Sequence, residues 1–151
     1  MRLVIVWLSF CMFMLGGCSN VPKGEEDVFP PSMNAVIHIN GTDYPMEEGN
    51  YEWSRKKGLE TEVVQTDHAS PNQMADNIEP ILLTSDQKVE IKIEDNPDIS
   101  VYLWNDQGRE KTIETQADQF TIPSAKGKYI YEVLAKWKNG TVSYTFVIEV
   151  E

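Results

Sequence analysis

Tyr129-Ile130-Tyr131-Glu132-Val133-Leu134-Ala135-Lys136-Trp137-Lys138-Asn139-Gly140-Thr141-Val142-Ser143-Tyr144-Thr145-Phe146-Val147-Ile148-Glu149-Val150 is the stretch that decides the fold. Its odd positions from Tyr129 to Trp137 and its even positions from Val142 to Val150 are almost all large and apolar. A period of two places each set on one face of a strand. Asn139-Gly140 stands between the runs. It is the dipeptide that a two-residue type I′ turn favours, because both of its residues tolerate φ > 0. Such a turn pairs Lys138 with Thr141, Trp137 with Val142, Ala135 with Tyr144, Val133 with Phe146 and Tyr131 with Ile148. Apolar then meets apolar on a common face, and a β-hairpin is expected.

Working outward, Lys88–Glu94 alternates, with Val89, Ile91 and Ile93 inward, and Asp95-Asn96-Pro97-Asp98 breaks it as a turn. Ile99–Trp104 is the next strand, with Ile99, Val101 and Leu103 on one face and Tyr102 and Trp104 on the other. Asp106-Gln107-Gly108 turns the chain again, and short strands are expected near Lys111–Glu114 and Gln119–Ile122. Val36–Ile39 and Thr42–Pro45 flank Asn40-Gly41, a second hairpin signal. Tyr51–Ser54 and Thr61–Gln65 are further candidate strands. Ser70-Pro71 supplies an N-cap and a Pro at the first helical position, opening one short helix toward Asn77.

Many short strands separated by turn signals predict an all-β sandwich. Gly127-Lys128-Tyr129-Ile130-Tyr131 resembles the entry to strand F of immunoglobulin-like domains, where a Tyr follows Gly by two. That resemblance implies that Tyr129–Lys138 and Thr141–Val150 are strands F and G. The expected fold is an immunoglobulin-like antiparallel β-sandwich with one short helix, over residues 34–151.

The N-terminus carries a different signal. Met1-Arg2 is a short positive segment, and Leu3 to Leu15 is apolar apart from Ser9. That run has the length of a signal-peptide core and is short of the ~20 residues a spanning helix needs. Leu15-Gly16-Gly17-Cys18 closes it. These residues resemble the lipobox of bacterial lipoproteins, which implies cleavage before Cys18 and a diacylglyceryl thioether on its sulfur. Residues 1–17 are then a leader, and 18–33, with Pro22, Gly24, Glu25-Glu26-Asp27 and Pro30-Pro31, a tether. The expected location is the outer face of a bacterial cell membrane, held by lipid and not spanning it.

The formal charge is −11, and loss of Arg2 with an acid-free leader makes it −12. Such acidity argues against nucleic acid as a partner and against a domain lying flat on anionic lipid. With Cys11 in the leader and Cys18 lipidated, the folded part has no cysteine and hence no disulfide, thiolate nucleophile or thiolate-bound metal. His38 and His68 are too few for zinc, so neither metal nor cofactor is expected. Asp67-His68-Ala69-Ser70 holds the residue types of a hydrolase triad. Triad members converge from separate elements, however, so a capped loop is expected and no catalytic residue is assigned. Asp95, Asp98 and Asp106 lie in neighbouring turns, a cluster at one end of the sandwich without EF-hand spacing, so solvated turns rather than a Ca²⁺ site are expected.

Aromatics are the better lead. Trp53, Tyr102 and Trp104 are the candidate binding residues, since aromatics on a sheet face stack on sugar rings or anchor protein partners. Gly49-Asn50-Tyr51-Glu52-Trp53, Asp67-His68-Ala69-Ser70-Pro71, Gly127 through Trp137 and Ser143 through Val150 together resemble small lipoproteins and exported domains of Bacillus-type bacteria. The resemblance implies an extracytoplasmic domain and carries no site residue with it. The functional expectation is a non-enzymatic binding or structural module for an envelope or protein partner. The alternative is a protease-inhibitor-like or sensor domain presenting the loops around Asn105–Gly108 and Ile122–Lys128.

Overall fold

The computed structural model describes residues 28–151; the leader, Cys18 and the tether up to Asp27 lie outside the described residues. The described elements are β1 (Ala35–Ile39), β2 (Thr42–Pro45), β3 (Glu47–Lys57), β4 (Glu60–Thr66), α1 (Pro71–Met74), β5 (Ile81–Leu83), β6 (Lys88–Ile93), β7 (Asp98–Asn105), β8 (Gly108–Ile113), β9 (Gln119–Thr121), β10 (Gly127–Lys136) and β11 (Gly140–Val150). A small sheet has the order β2-β1-β6-β9, and a large one β4-β3-β11-β10-β7-β8. The two pack face to face over a core that includes Ile37, Val89, Val101, Tyr131, Val133, Phe146 and Ile148. The chain is an all-β sandwich with one short helix.

Its centre has immunoglobulin-like wiring. β6 and β9 pair in the small sheet, while β7, β10 and β11 pair in the large one, as strands B/E and C/F/G do in that fold. At the start of β10 the Tyr129 hydroxyl donates to the Ala125 carbonyl at 2.8 Å, closing a tyrosine corner. Two residues on, where antibody domains place a disulfide cysteine, stands Tyr131. Its ring stacks on Phe146 and tilts against Phe120 of the other sheet, each with centroids 5.1 Å apart. Aromatic pairs contribute about 0.5–1.5 kcal/mol each beyond area burial, so this bridge ties the sheets together without a thiol.

The β10–β11 hairpin forms with the expected inward faces and a different turn. Ala135 pairs with Val142, Val133 with Tyr144 and Tyr131 with Phe146, two positions away from the expected partners. A shift of two preserves which side chains point inward. The tip is Lys138-Asn139, closed by the Trp137 N–H on the Gly140 carbonyl at 2.8 Å, and neither Asn139 nor Gly140 adopts a positive φ. Gly140 answers a different need. It faces Trp53 across the β11–β3 ladder, and a Cβ built there falls 2.0 Å from the indole Cε3. Trp137 then covers the same indole at 5.1 Å. The Asn40-Gly41 hairpin forms as expected: Ile39 pairs with Thr42, and both turn residues take φ > 0.

Two features depart from expectation. β5 runs parallel to the C-terminal half of β11, from Ile148↔Ile81 to Val150↔Leu83. Three residues without alternation give no periodic signal, and a parallel partner cannot be found from a turn. The end of the expected tether is also part of the fold. Phe29 and Met33 pack against the core, and the Arg55 guanidinium lies over the Phe29 ring at 4.3 Å.

Gly140→Ala is expected to destabilise the domain by about 1–3 kcal/mol, because the methyl must displace a buried indole in a close-packed site. Urea unfolding reads this; an unchanged midpoint would mean that the indole moves freely.

Candidate functional site on the outer face of the large sheet

Alternation places a second set of side chains on the face of the large sheet that points away from the small one. They are Tyr102 and Trp104 of β7, Glu132 and Leu134 of β10, and Thr141, Ser143, Thr145 and Val147 of β11. Part of this face is roofed. Leaving β4, the chain crosses it through α1, whose start is fixed by a capping box between Ser70 and Gln73. Met74 and Ala75 are buried there with Thr145 and Val147. Gly49 leaves room for this roof, since a Cβ there would meet Met74 Sδ at 3.3 Å. Asn72 Nδ2 donates to the Asn105 carbonyl at 2.6 Å and Lys128 Nζ to the Ala75 carbonyl at 3.2 Å, pinning the roof to the sheet.

Beside the roof the face is open, and Glu132 lies at its centre although only 4% exposed. Its Oε2 accepts from Trp104 Nε1 at 2.7 Å and Arg109 Nε at 2.8 Å; its Oε1 accepts from Arg109 Nη2 at 2.8 Å and Ser143 Oγ at 3.0 Å. Arg109 arrives by an irregularity in the β7–β8 ladder after Leu103, which sets it opposite Trp104. Its guanidinium also lies over the Tyr102 ring at 4.0 Å. Burial alone would push the Glu132 carboxyl up. The hydrogen bonds from Arg109 and Trp104, the Arg109 charge and the Ser143 hydroxyl outweigh it and hold the group below the usual carboxylate range. The hydrogen bond to Glu132 likewise raises the Arg109 guanidinium, so both remain charged.

This network sets Tyr102, Arg109 and Trp104 in fixed relative positions. A cleft of about 470 Å³ adjoins it, with Asn50, Glu52, Asp67 and Thr141 among its walls and Arg109, Glu132 and Ser143 at its floor. A neighbouring hollow of about 450 Å³ reaches Trp104 and His68.

The structure brings two of the three sequence candidates together. Tyr102 and Trp104 share this face and are half-buried. Trp53 is 2% exposed in the core, under Trp137 and against Gly140, so it is withdrawn from the binding set. Its place on the inward face of β3 is decided by pairing with β11, which the isolated Tyr51–Ser54 segment does not reveal. Sequence reasoning missed Arg109, Glu132 and Ser143. Glu132 interrupts an apolar stretch between Tyr131 and Val133, a buried-strand position where a charge needs a partner, and that was the available signal.

Ser70 Oγ is engaged with Gln73 in the helix cap, and the His68 backbone N–H donates to Asn50 Oδ1. Asp67, His68 and Ser70 thus occupy a capped loop. Asp106 lies at the opposite end of β7 from Asp95 and Asp98, because the whole strand separates the two turns. On the small sheet, His38 Nδ1 lies 2.5 Å from Asp43 Oδ1, and that hydrogen bond holds the Asp43 carboxyl below its ordinary value. Among the described residues no group of three or more His, Cys, Asp or Glu is placed to hold a metal ion. The loops at 105–108 and 122–128 do share one end, flanking a cleft of about 580 Å³ beside Trp104.

No protein-family model, curated protein or solved structure matches this chain.

Glu132→Gln is expected to cost about 2 kcal/mol at neutral pH, moderated because Arg109 can turn partly to water. The folded carboxyl titrates below the unfolded value of about 4.3. Its contribution is therefore complete above that value and is lost as pH falls through the depressed folded value. The stability gap between wild type and Glu132→Gln should be widest near neutrality and narrow steadily as pH falls below the unfolded value of about 4.3. Paired urea titrations across pH measure it, and a gap independent of pH would contradict the assignment.

Proposed function

We propose that this chain is an extracytoplasmic lipoprotein, anchored through Cys18 on the outer face of a bacterial cell membrane. There it acts as a binding or structural module for an envelope or protein partner. The anchor rests on Leu15-Gly16-Gly17-Cys18 following a positive start and an apolar run. The binding role rests on one observation: a buried carboxylate holds Tyr102, Arg109 and Trp104 in place beside an open cleft. A structural sheet face does not need a charged group buried at such desolvation cost. A surface that must present an aromatic and a guanidinium in set positions gains from that rigidity. Tyr and Arg are also the side chains that dominate energetically important contacts. A net charge of −12 for the processed chain disfavours nucleic acid.

A second reading places the contact at the end of the sandwich, in an inhibitor-like or sensor role. The cleft between the 105–108 and 122–128 loops favours it.

In-cell crosslinking of the native protein followed by mass spectrometry tests both. The expected result is a partner whose crosslinks fall at least tenfold with Tyr102→Ala and with Cys18→Ala, the latter also moving the protein out of the membrane fraction. Crosslinks that persist in Tyr102→Ala and map to 105–108 and 122–128 would favour the second reading. Retention of Cys18→Ala in the membrane fraction would refute the anchor.

A further inference from the structure

The β3–β4 hairpin projects from the sandwich, and its tip has a chemistry unlike the rest of the chain. Among the described residues, the Ser54 N–H on the Asn139 carbonyl, 2.8 Å, is the last backbone tie of β3 to the β10–β11 hairpin. From Arg55 to Lys57, β3 pairs with β4, through Arg55↔Glu62, Lys56↔Thr61 and Lys57↔Glu60, beyond the end of its β11 ladder at Trp53. Gly58 takes φ +66 at the turn, which throws Leu59 wholly into solvent. The three residues from Arg55 to Lys57 extend roughly 10 Å beyond that tie at strand rise, with Gly58 and Leu59 as the turn.

Arg55-Lys56-Lys57 is the only run of three bases in a chain whose formal charge is −11. Over residues 55–62 three bases meet two acids, Glu60 and Glu62, for a net +1. Glu62 lies 2.8 Å from Arg55 Nε and 4.0 Å from Lys57 Nζ, and Lys56 Nζ donates to Thr61 Oγ1 at 2.9 Å, yet the Lys57 side chain is 73% exposed and one acid is shared between two bases. The tip is thus a cationic, apolar point on an acidic body.

The path of the chain gives this tip a direction. Phe29 lies under Arg55, so the N-terminal segment joins the domain at the root of the same hairpin. Nine residues, ten steps along the chain, separate Cys18 from Val28. Ten such steps span at most about 35 Å. The other end of the sandwich, with the 105–108 and 122–128 loops, is a full β7 strand away.

We propose that the hairpin tip, through Lys56, Lys57 and Leu59, rests on the anionic headgroups of the leaflet that holds the Cys18 lipid, orienting the domain with its 105–108 end outward. This rests on the reading of Cys18 as the anchor. Bases within a Debye length of an anionic leaflet are attracted, and an exposed leucine adds interfacial burial. The acidic body is repelled, so the contact is confined to a point. The lipid supplies the local concentration that so small a contact needs.

The test uses the full processed protein in vesicles, its Cys18 adduct verified by intact mass, with an environment-sensitive fluorophore on Thr61→Cys. On phosphatidylglycerol–phosphatidylcholine vesicles the emission should shift to the blue and rise at least twofold. Lipid-borne quenchers should reach it, whereas a fluorophore on Gln107→Cys should stay water-like. Lys56→Glu combined with Lys57→Glu, or Leu59→Asp, should remove more than half of the rise, and pure phosphatidylcholine should behave like the charge-reversed variant. A water-like Thr61 probe on a chain that carries its lipid overturns this proposal alone. A mass lacking the diacylglyceryl adduct overturns the anchor reading and this proposal with it.

Discussion

Strand β11 is buried on both faces and paired at both edges, and the rest of the structure follows from satisfying it. Its even positions, Val142 to Val150, enter the sandwich core. Its outward Thr145 and Val147 are fully buried as well. One edge is taken by β10 along its whole length. The other is shared, β3 taking the first half and β5 the second, with a break after Val142. A strand with this many buried peptide groups needs every one of them paired. The connection from β4 to β5 therefore passes over the outer face, and α1 is the cover that results.

That cover is incomplete, which is what creates a candidate site. Where Met74 and Ala75 stop, the outer face would expose the middle of β10 to water, and the sequence places Glu132 there. A carboxylate so buried is costly unless its oxygens are saturated. Trp104, Arg109 and Ser143 supply donors from three different strands. The group therefore acts as a fastener for the surface above it. It couples the β7–β8 irregularity, which turns Arg109 inward, to the ring of Tyr102. Desolvation of one acid is exchanged for a rigid polar surface.

The two ends of the sandwich differ in a related way. One carries the entering chain, Phe29 beneath Arg55 and the projecting β3–β4 arm. The other carries the loops that flank Trp104 from beyond the sheet. Under the proposed anchoring at Cys18, that polarity would set the end bearing the β3–β4 arm toward the membrane and the other end outward. The cleft on the large sheet lies along the side, accessible in either case.

Much of the architecture was legible from alternation and turn chemistry. β1, β6, β7, β10 and β11 follow runs with a period of two, and β2, β3, β4, β8 and β9 lie at segments marked off by turn residues, with β3 and β8 reaching beyond the expected bounds. Asn40-Gly41 turns where its φ requirement says it should, and Ser70-Pro71 opens the helix. Those are local properties, set by bonds between neighbours. The β10–β11 register shows the limit. Asn139-Gly140 is a good turn dipeptide by itself, yet Gly140 is used to admit the Trp53 ring. A bulky contact from a strand some ninety residues earlier outweighs a local turn preference. For the same reason sequence alone picked out Tyr102 and Trp104 as sharing a face but could not separate them from Trp53, nor see that Arg109, Glu132 and Ser143 join them. What the sequence determined by itself was the sandwich and its inward faces, because periodicity and turn motifs are written in adjacent residues. Which aromatics are buried, which register closes the hairpin and which charges meet were decided by tertiary structure. Those depend on strands brought side by side, where packing and desolvation act between residues that the chain keeps far apart.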